Sequence, residues 1–214
     1  MSETVVLVDY GSGNLHSAHS ALEFAASALA KPPRILVTAE PDRVASADRV
    51  VLPGVGAFGD CKAGLAARSG LIEALTETAR DRAAPFMGIC VGMQLLADEG
   101  REFGQTAGLG WVPGVVDRMP PGDGLKIPHM GWNALEDLRS HPVLSGVTAG
   151  DHVYFVHSYR FEATHGSDVL AQARYGAAFA ATVGRDNLIG LQFHPEKSQK
   201  VGLAILANFL AWSP

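Results

Sequence analysis

The chain of 214 residues lacks the features that mark several large classes of protein. Its two cysteines, Cys61 and Cys90, are too few for a disulfide framework. No apolar run reaches the roughly 18–20 residues that span a membrane. No cluster of Lys or Arg accompanies the net charge of -5, which disfavours nucleic acid or an anionic membrane as the main partner. The opening MSETVVLVDYG lacks the basic region and cleavage site of a secretory signal, so we expect a cytoplasmic protein.

The composition favours a folded chain. Apolar residues make up 47% and charged residues 18%, which is typical of globular rather than disordered proteins. The length allows one sizeable core. With no internal repeat, linker or low-complexity segment, residues 1–214 are predicted to form one domain.

The first half of the chain alternates short apolar runs with helix-like segments. The runs cover 4–10, 34–39, 49–54 and 85–90, and the helix-like segments cover 15–30 and 60–82, the second interrupted near Gly70. Continuous apolar strands joined through helices are typical of a parallel sheet covered on both faces.

The second half contains strand-like segments at closer spacing. They cover 108–119, 126–135, 151–161, 168–175, 177–184 and 188–194, and a terminal helix is predicted over 198–212. Strands without helices between them indicate an antiparallel or mixed extension of the sheet.

A Gly-Ser-Gly turn at 11–13 follows the first strand and invites comparison with dinucleotide sites. That fingerprint requires a third glycine at position 16, where this chain has His16. A tight strand-to-helix turn is therefore the better interpretation. The sequence predicts neither a cofactor nor a metal site.

The segment GICVG, residues 88–92, places Cys90 between two glycines where an apolar strand meets a predicted helix. This is the pattern of a nucleophile elbow with cysteine in place of serine. The N-terminal end of a helix favours thiolate over thiol. A lone cysteine is more often a small buried side chain, which is how we interpret Cys61, but the flanking glycines favour a nucleophile at Cys90.

A thiol nucleophile requires a base and a group that orients the base. His194 ends an apolar run and is followed by Pro195 and Glu196. Proline keeps the preceding residue extended, and in an extended chain residues i and i+2 point the same way. Glu196 is therefore expected to reach the imidazole. Alone, the tripeptide would be a strand-ending turn; together with Cys90 it predicts a Cys90–His194–Glu196 triad.

These motifs, GICVGMQLL and QFHPEKS, resemble those of the class I glutamine amidotransferases, and LPGVGAF (52–58) is similar to the oxyanion loop of that family. DYGSGN (9–14), PHMGWN (128–133) and YFVHSYR (154–160) resemble the branch that supplies ammonia for histidine biosynthesis. The resemblance runs from the first strand to the last helix. It implies a flavodoxin-like α/β fold with a mostly parallel sheet, glutamine as substrate and, as partner, a (β/α)8-barrel cyclase.

The resemblance also implies roles for individual residues. Cys90 would attack the glutamine carboxamide, His194 would take the thiol proton and later protonate ammonia, and Glu196 would orient His194. The remaining implied roles are the oxyanion hole, Val55 and Val91; glutamine binding, Gly56, Gln94, Ser158 and Tyr159; and the cyclase interface, Asn14, Trp132, Tyr154 and Lys197. Trp132 and Tyr154 equally fit ordinary core aromatics.

Two other functions remain open at this stage: an amidotransferase subunit of a different synthase, and a catalytically silent regulatory relative. PHMGWN and DYGSGN disfavour the first, and the intact Cys90, His194 and Glu196 disfavour the second. The two glycines of Pro53-Gly54-Val55-Gly56 also predict that the Gly54–Val55 peptide adopts two orientations at low cost. Only one of them would aim the Val55 N–H at the oxyanion.

Overall fold

The computed structural model describes residues 3–120, 122 and 124–214. The strands are β1 (Thr4–Val8), β2 (Arg34–Thr38), β3 (Arg49–Gly54), β4 (Phe86–Cys90), β5 (Glu99–Gly100), β6 (Thr106–Ala107), β7 (Gly114–Arg118), β8 (His129–Ala134), β9 (His152–His157), β10 (Tyr159–Ala163), β11 (Val169–Tyr175), β12 (Ala177–Arg185) and β13 (Leu188–Leu191). The α-helices are α1 (Leu15–Ser27), α2 (Pro41–Ala45), α3 (Phe58–Ala66), α4 (Leu71–Thr76), α5 (Val91–Gln94) and α6 (Gln199–Ala211).

A seven-stranded sheet in the order β11-β12-β13-β4-β3-β1-β2 forms the central layer. The strands β2, β1, β3, β4 and β13 run parallel to one another, whereas β12 is antiparallel to both β11 and β13. The mostly parallel sheet with an antiparallel extension is therefore confirmed. The buried faces explain the apolar runs, since Val5 to Val8 of β1 are fully buried.

The helix predicted over 60–82 is interrupted where expected. Gly70 has a φ of 78° between α3 and α4, a conformation that glycine adopts without steric cost. A π-helical turn, Glu77–Asp81, extends α4. None of the helices in the described ranges is long and apolar enough to cross a membrane.

The segment predicted as one strand over 151–161 is two strands in two different sheets. β9 pairs with β8 in a two-stranded sheet, and β10 pairs with β7 in a four-stranded sheet. The chain changes sheets at Ser158, which lies between them. The alternation of side chains typical of one strand continues through Ser158, so the change of sheet leaves no signal in the sequence.

The helix expected after Cys90 is only one turn long, which corrects the prediction of a helix dipole at the thiol. α5 ends at Gln94. The carbonyls of Leu95, Leu96 and Ala97 instead accept hydrogen bonds from the N–H groups of residues 109–112. The helix ends there because the carbonyls that would accept its next hydrogen bonds are used by the 109–112 loop. The free N–H groups of its first turn remain near Cys90, but the helix is too short to carry a large dipole.

The glycines around the Cys90 turn are required by the close approach of backbones. A Cβ atom on Gly92 would lie 1.9 Å from the Leu52 carbonyl oxygen, and one on Gly88 would lie 2.4 Å from the Gly92 carbonyl oxygen. Both distances are far shorter than any normal contact, so a side chain at either position would force β3, β4 and α5 apart.

We predict that Gly92→Ala lowers the free energy of unfolding by at least about 2 kcal/mol, because overpacking a backbone contact requires the strands to shift. Gly166→Ala is the matched control, since nothing lies within 4 Å of its Cβ position. It should change stability by less than about 0.5 kcal/mol. Urea unfolding midpoints at constant m-value measure both, and equal midpoints would contradict the crowding.

Candidate active site

Cys90 lies at the turn between β4 and α5 with a strained backbone. Its φ of 55° and ψ of -112° are unusual for a residue with a side chain. Such strain persists only where the surrounding structure imposes it, and it is common at functional sites. Cys90 is 4% exposed and lines a pocket that also contains His194. The turn therefore presents the thiol to a cavity above the carboxyl end of the sheet.

His194 and Glu196 meet as an ion pair. His194 is extended, with a φ of -96° and ψ of 99°, and Pro195–Lys197 forms a 3-10 turn. Glu196 therefore reaches the imidazole through this turn rather than along an extended chain, as the sequence suggested. The His194 Nδ1 to Glu196 Oε1 distance is 2.8 Å, and both side chains are 3% exposed.

This contact determines which imidazole nitrogen faces the pocket. A carboxylate only accepts hydrogen bonds, so His194 Nδ1 carries the hydrogen. His194 Nε2 is buried and has no hydrogen-bond partner among the described residues. It is therefore the nitrogen available for proton exchange with Cys90 and a substrate.

Charge around His194 favours its protonated form. Burial opposes protonation, but the neighbouring Cys90 sulfur and the Glu196 carboxylate favour it and together raise the pKa of His194 to about 9. The imidazolium is then present at neutral pH, and its positive charge lies beside the Cys90 sulfur.

Two polar residues that the sequence did not single out hold this arrangement. Ser198 Oγ donates to the His194 carbonyl at 2.6 Å and accepts from the Tyr154 N–H at 3.0 Å. Gln192 Nε2 lies 3.9 Å from Cys90 Sγ. Both residues are buried in the QFHPEKS segment, and their role depends on contacts between strands, which a sequence pattern does not reveal.

The four residues expected to bind glutamine line the same pocket: Gly56, Gln94, Ser158 and Tyr159. Gln94 Nε2 donates to the Tyr159 carbonyl at 3.1 Å and to Gln192 Oε1 at 3.0 Å. Because both amide hydrogens are used, Gln94 braces the pocket wall and offers a ligand only its Oε1.

Glu102 also lines the pocket, although no sequence motif pointed to it. Its Oε2 accepts a hydrogen bond from the Phe58 N–H at 2.8 Å, which fixes the carboxylate. A carboxylate held in this way is suited to binding a cationic group of a ligand. Glu102 follows a short strand in a polar loop, where one acid among several carries no distinguishing signal.

The two oxyanion candidates differ in orientation. Val91 opens α5, so its N–H has no acceptor within the helix. The Val55 N–H instead donates to Ser12 Oγ at 3.0 Å, and Ser12 Oγ donates to the Val55 carbonyl at 2.7 Å. Cys61 Sγ lies 3.3 Å from that same carbonyl. Val55 is therefore held with its N–H on Ser12 and not free for an oxyanion.

Three of the four proposed interface residues form one cluster. Trp132 is 47% exposed, its ring centroid lies 5.9 Å from that of Tyr154, and Lys197 Nζ lies 5.6 Å from the Tyr154 centroid. Asn14 is not part of this cluster: it caps α1 by accepting from the Ser17 N–H and lines a small pocket with Glu196. The exposed edge of Trp132 corrects the alternative that it is a core aromatic.

With this geometry described, comparison with known proteins defines the class. The family model "Glutamine amidotransferase class-I" matches residues 6–212. The chain belongs to the class I glutamine amidotransferases.

Relatives that share more than half of their residues with this chain include subunits of one synthase. The chain is 57% identical to the imidazole glycerol phosphate synthase subunit HisH of Rhodopseudomonas palustris, over 99% of this chain and 100% of that protein. It is 55% identical to the HisH subunit of Caulobacter vibrioides over the same shares of the two chains.

Solved structures confirm the fold at low identity. PurLQS from Thermotoga maritima superposes with a TM-score of 0.74 at 19% identity, covering 99% of both chains. A glutamine amidotransferase, also from Thermotoga maritima, gives a TM-score of 0.61 at 16% identity, covering 92% of this chain and 77% of that one.

We predict that the His194 imidazole titrates near pH 9 in the wild-type chain. In Cys90→Ser its pKa should fall toward the ordinary value of about 6.5, because the sulfur charge that favours the imidazolium is removed. The folded pKa exceeds the unfolded one, so this proton contributes stability below about pH 6.5 and the contribution is lost as pH rises toward 9. NMR titration of the ring protons measures it, and an unchanged pKa in Cys90→Ser would show that the sulfur does not act on His194.

Proposed function

We propose that this chain is the glutaminase subunit of an imidazole glycerol phosphate synthase, with residues 1–214 forming one glutaminase domain in the cytoplasm. It hydrolyses glutamine and passes ammonia to a (β/α)8-barrel cyclase subunit, which makes imidazole glycerol phosphate and AICAR in histidine biosynthesis. Full-length identity of 57% to a HisH subunit supports the pathway. The observation that supports the chemistry is the His194–Glu196 pair. Glu196 binds Nδ1 of His194 and leaves Nε2 unbound, and His194 lines the same pocket as Cys90.

The first half-reaction forms a thioester. The Cys90 thiolate attacks the carboxamide carbon of glutamine, and the carbonyl oxygen becomes an oxyanion between the N–H groups of Val91 and Val55. Collapse breaks the carbon–nitrogen bond, and His194 Nε2–H supplies the proton that lets the nitrogen leave as ammonia. Glu196 keeps the imidazole in the required tautomer throughout.

The second half-reaction regenerates the thiol site. His194, now neutral, takes a proton from a water molecule that attacks the thioester carbon. The carbon–sulfur bond breaks, and glutamate leaves from a Cys90 thiolate beside a protonated His194. The net reaction is glutamine plus water to glutamate plus ammonia.

Substrate recognition uses the two ends of the pocket. Glu102 binds the α-ammonium group of glutamine, and the backbone of Ser158 and Tyr159 faces its α-carboxylate. A bound amino acid thereby presents its carboxamide toward Cys90. Substrates lacking either charged group would lose a charge-assisted hydrogen bond.

The partner docks on the exposed cluster of Trp132, Tyr154 and Lys197, with Asn14 at its margin. Aromatic residues are enriched in interface cores, whereas lysine is depleted there, so Trp132 and Tyr154 form the centre of this contact and Lys197 its rim. Ser198 joins Tyr154 to His194 through one hydroxyl. A displacement of Tyr154 on docking is therefore transmitted to His194 through the two hydrogen bonds of the Ser198 hydroxyl.

The orientation of Val55 supports control by the partner. In the isolated chain the Val55 N–H is bound to Ser12, so one oxyanion donor is missing. A missing donor typically costs about 10²–10³ in kcat. Rotation of the Gly54–Val55 peptide on docking would supply the donor and raise kcat much more than it lowers KM.

Cys90→Ser should abolish glutamine-dependent product formation, because His194 cannot activate an oxygen of much higher pKa as well as a thiol. The matched control is Cys61→Ser, which keeps a donor for the Val55 carbonyl and should retain most of the activity. With ammonium in place of glutamine, the Cys90→Ser complex should still form product in the cyclase. Glutamate release and cyclase product measure the two reactions. Equal losses in both cysteine variants, or no product from ammonium, would contradict the proposal.

Ser12→Ala should raise the basal glutaminase rate of the isolated chain about fivefold or more, since removing the hydroxyl releases the hydrogen bond that holds the Gly54–Val55 peptide at its N–H and the one to the Val55 carbonyl. Stimulation by the cyclase and its ligand should fall by a similar factor. Ser20→Ala, an exposed serine on α1, is the control. A Gly54 variant does not test this point, because a Cβ at Gly54 would lie 2.7 Å from the Gly92 nitrogen and disturb the Cys90 turn. An unchanged basal rate in Ser12→Ala would argue against the peptide rotation.

A further inference from the structure

Two buried histidines lie beneath the β8–β9 sheet, and the mechanism above uses neither. His129 of β8 is 3% exposed and His157 of β9 is 6% exposed. His129 Nδ1 and His157 Nε2 are 3.0 Å apart, and the two residues are paired in register across the strands. His157 also lines the pocket that contains Cys90.

The surrounding acceptors fix the direction of every hydrogen bond in this pair. His157 Nδ1 lies 2.8 Å from the Tyr159 carbonyl, which only accepts, so Nδ1 carries the hydrogen. A neutral His157 then accepts at Nε2, and His129 must donate from Nδ1. The remaining nitrogen, His129 Nε2, accepts from Asn133 Nδ2 at 3.3 Å. The hydrogen bonds therefore all run in one direction: Asn133 donates to His129, His129 donates to His157, and His157 donates to the Tyr159 carbonyl.

Both rings remain neutral at physiological pH. Burial lowers the pKa of each histidine to about 4. His129 is stacked between Phe155, at a centroid distance of 5.0 Å, and Tyr175, at 4.2 Å. These aromatic contacts fix the plane of the ring, so it can present its Nδ1–H in only one direction.

The chain of hydrogen bonds ends at the wall of the substrate pocket. The Tyr159 carbonyl accepts from His157 on one side and from Gln94 on the other. Ser158, between the two strands, has its own carbonyl bound to the Met119 N–H at 2.9 Å. The Ser158–Tyr159 corner is therefore held by three hydrogen bonds, of which His157 supplies one.

The opposite face of β8 is exposed and apolar. Met130 is 65% exposed and Trp132 is 47% exposed, whereas His129 points inward from the same strand. Alternate residues of a strand face opposite sides. One strand thus carries the proposed docking face on one side and the first histidine of the chain on the other.

We propose that His129 and His157 are positioning residues for glutamine: their directed hydrogen bonds hold the Ser158–Tyr159 corner in the conformation that binds the α-carboxylate, and they connect that corner to the docking face of β8. This inference rests on the proposed glutaminase function. Neither histidine touches the reacting atoms, so the pair acts on substrate binding and not on the thiol.

The test measures glutamine binding separately from turnover. Iodoacetamide alkylates Cys90, mass spectrometry of the Cys90 peptide follows the rate, and the glutamine concentration giving half-protection reports affinity. The first variant, His129→Phe, keeps an aromatic ring between Phe155 and Tyr175 but removes the donor to His157. We expect half-protection to need about tenfold more glutamine, with the alkylation rate in the absence of glutamine unchanged.

Steady-state glutaminase assays of the complex with the cyclase give the second readout. His129→Phe should raise KM about tenfold and leave kcat within about twofold. His129→Asn restores an N–H near the position of Nδ1 and should recover most of the affinity. Asn133→Ala removes only the hydrogen bond that Asn133 donates to His129 and should raise KM about threefold. This milder variant keeps the test available if His129→Phe does not fold.

The control is His141→Phe, which replaces a half-buried histidine that contacts Trp212 on another part of the fold. It should leave KM and half-protection unchanged. A wild-type chain that glutamine does not protect would overturn both the proposed function and this inference. Protection that is equal in wild type, His129→Phe and Asn133→Ala, or a loss confined to kcat, would overturn the positioning role alone.

Discussion

The contact between the Gly92 backbone and the Leu52 carbonyl is the constraint on which the site depends. β3 and β4 are parallel neighbours, and α5 must leave β4 directly over the end of β3. Without side chains at Gly54, Gly88 and Gly92, the chain turns within one residue, and Cys90 takes the strained conformation at that point. Close packing of the β3, β4 and α5 backbones therefore fixes the position of Cys90. Its strained conformation persists because relaxing it would require the sheet to distort.

The second half of the site is placed by sheet register. β13 runs parallel to β4 with Leu191 opposite Ile89, so the residues that follow both strands emerge at the same edge. His194 arrives there long after Cys90 in the chain, and Ser198 then anchors its carbonyl to β9. Long-range strand pairing thus assembles a dyad that local structure could not produce.

Much of this arrangement was predictable from the sequence. Apolar runs indicated β1 to β4, Gly70 marked a helix break, and the glycines around Cys90 indicated a sharp turn. The parts that could not be predicted depend on partners distant in sequence. The length of α5 is limited by a loop at 109–112, the 151–161 segment divides between two sheets, and Glu102 gains its significance only from the cavity it borders.

The change of sheet at Ser158 has a mechanical consequence for the site. β8 and β9 form a sheet of two strands, and a two-stranded ribbon is only marginally stable unless other elements cover it. Here the inner face is covered by the core, in which Val153 and Phe155 are fully buried. The segment after β13 adds hydrogen bonds to β9, since the His194 N–H donates to the Tyr154 carbonyl and the Tyr154 N–H donates to Ser198 Oγ. The ribbon that bears the proposed docking face is therefore fastened to the residue that acts as base, and a displacement of β9 would be carried to His194 through these bonds.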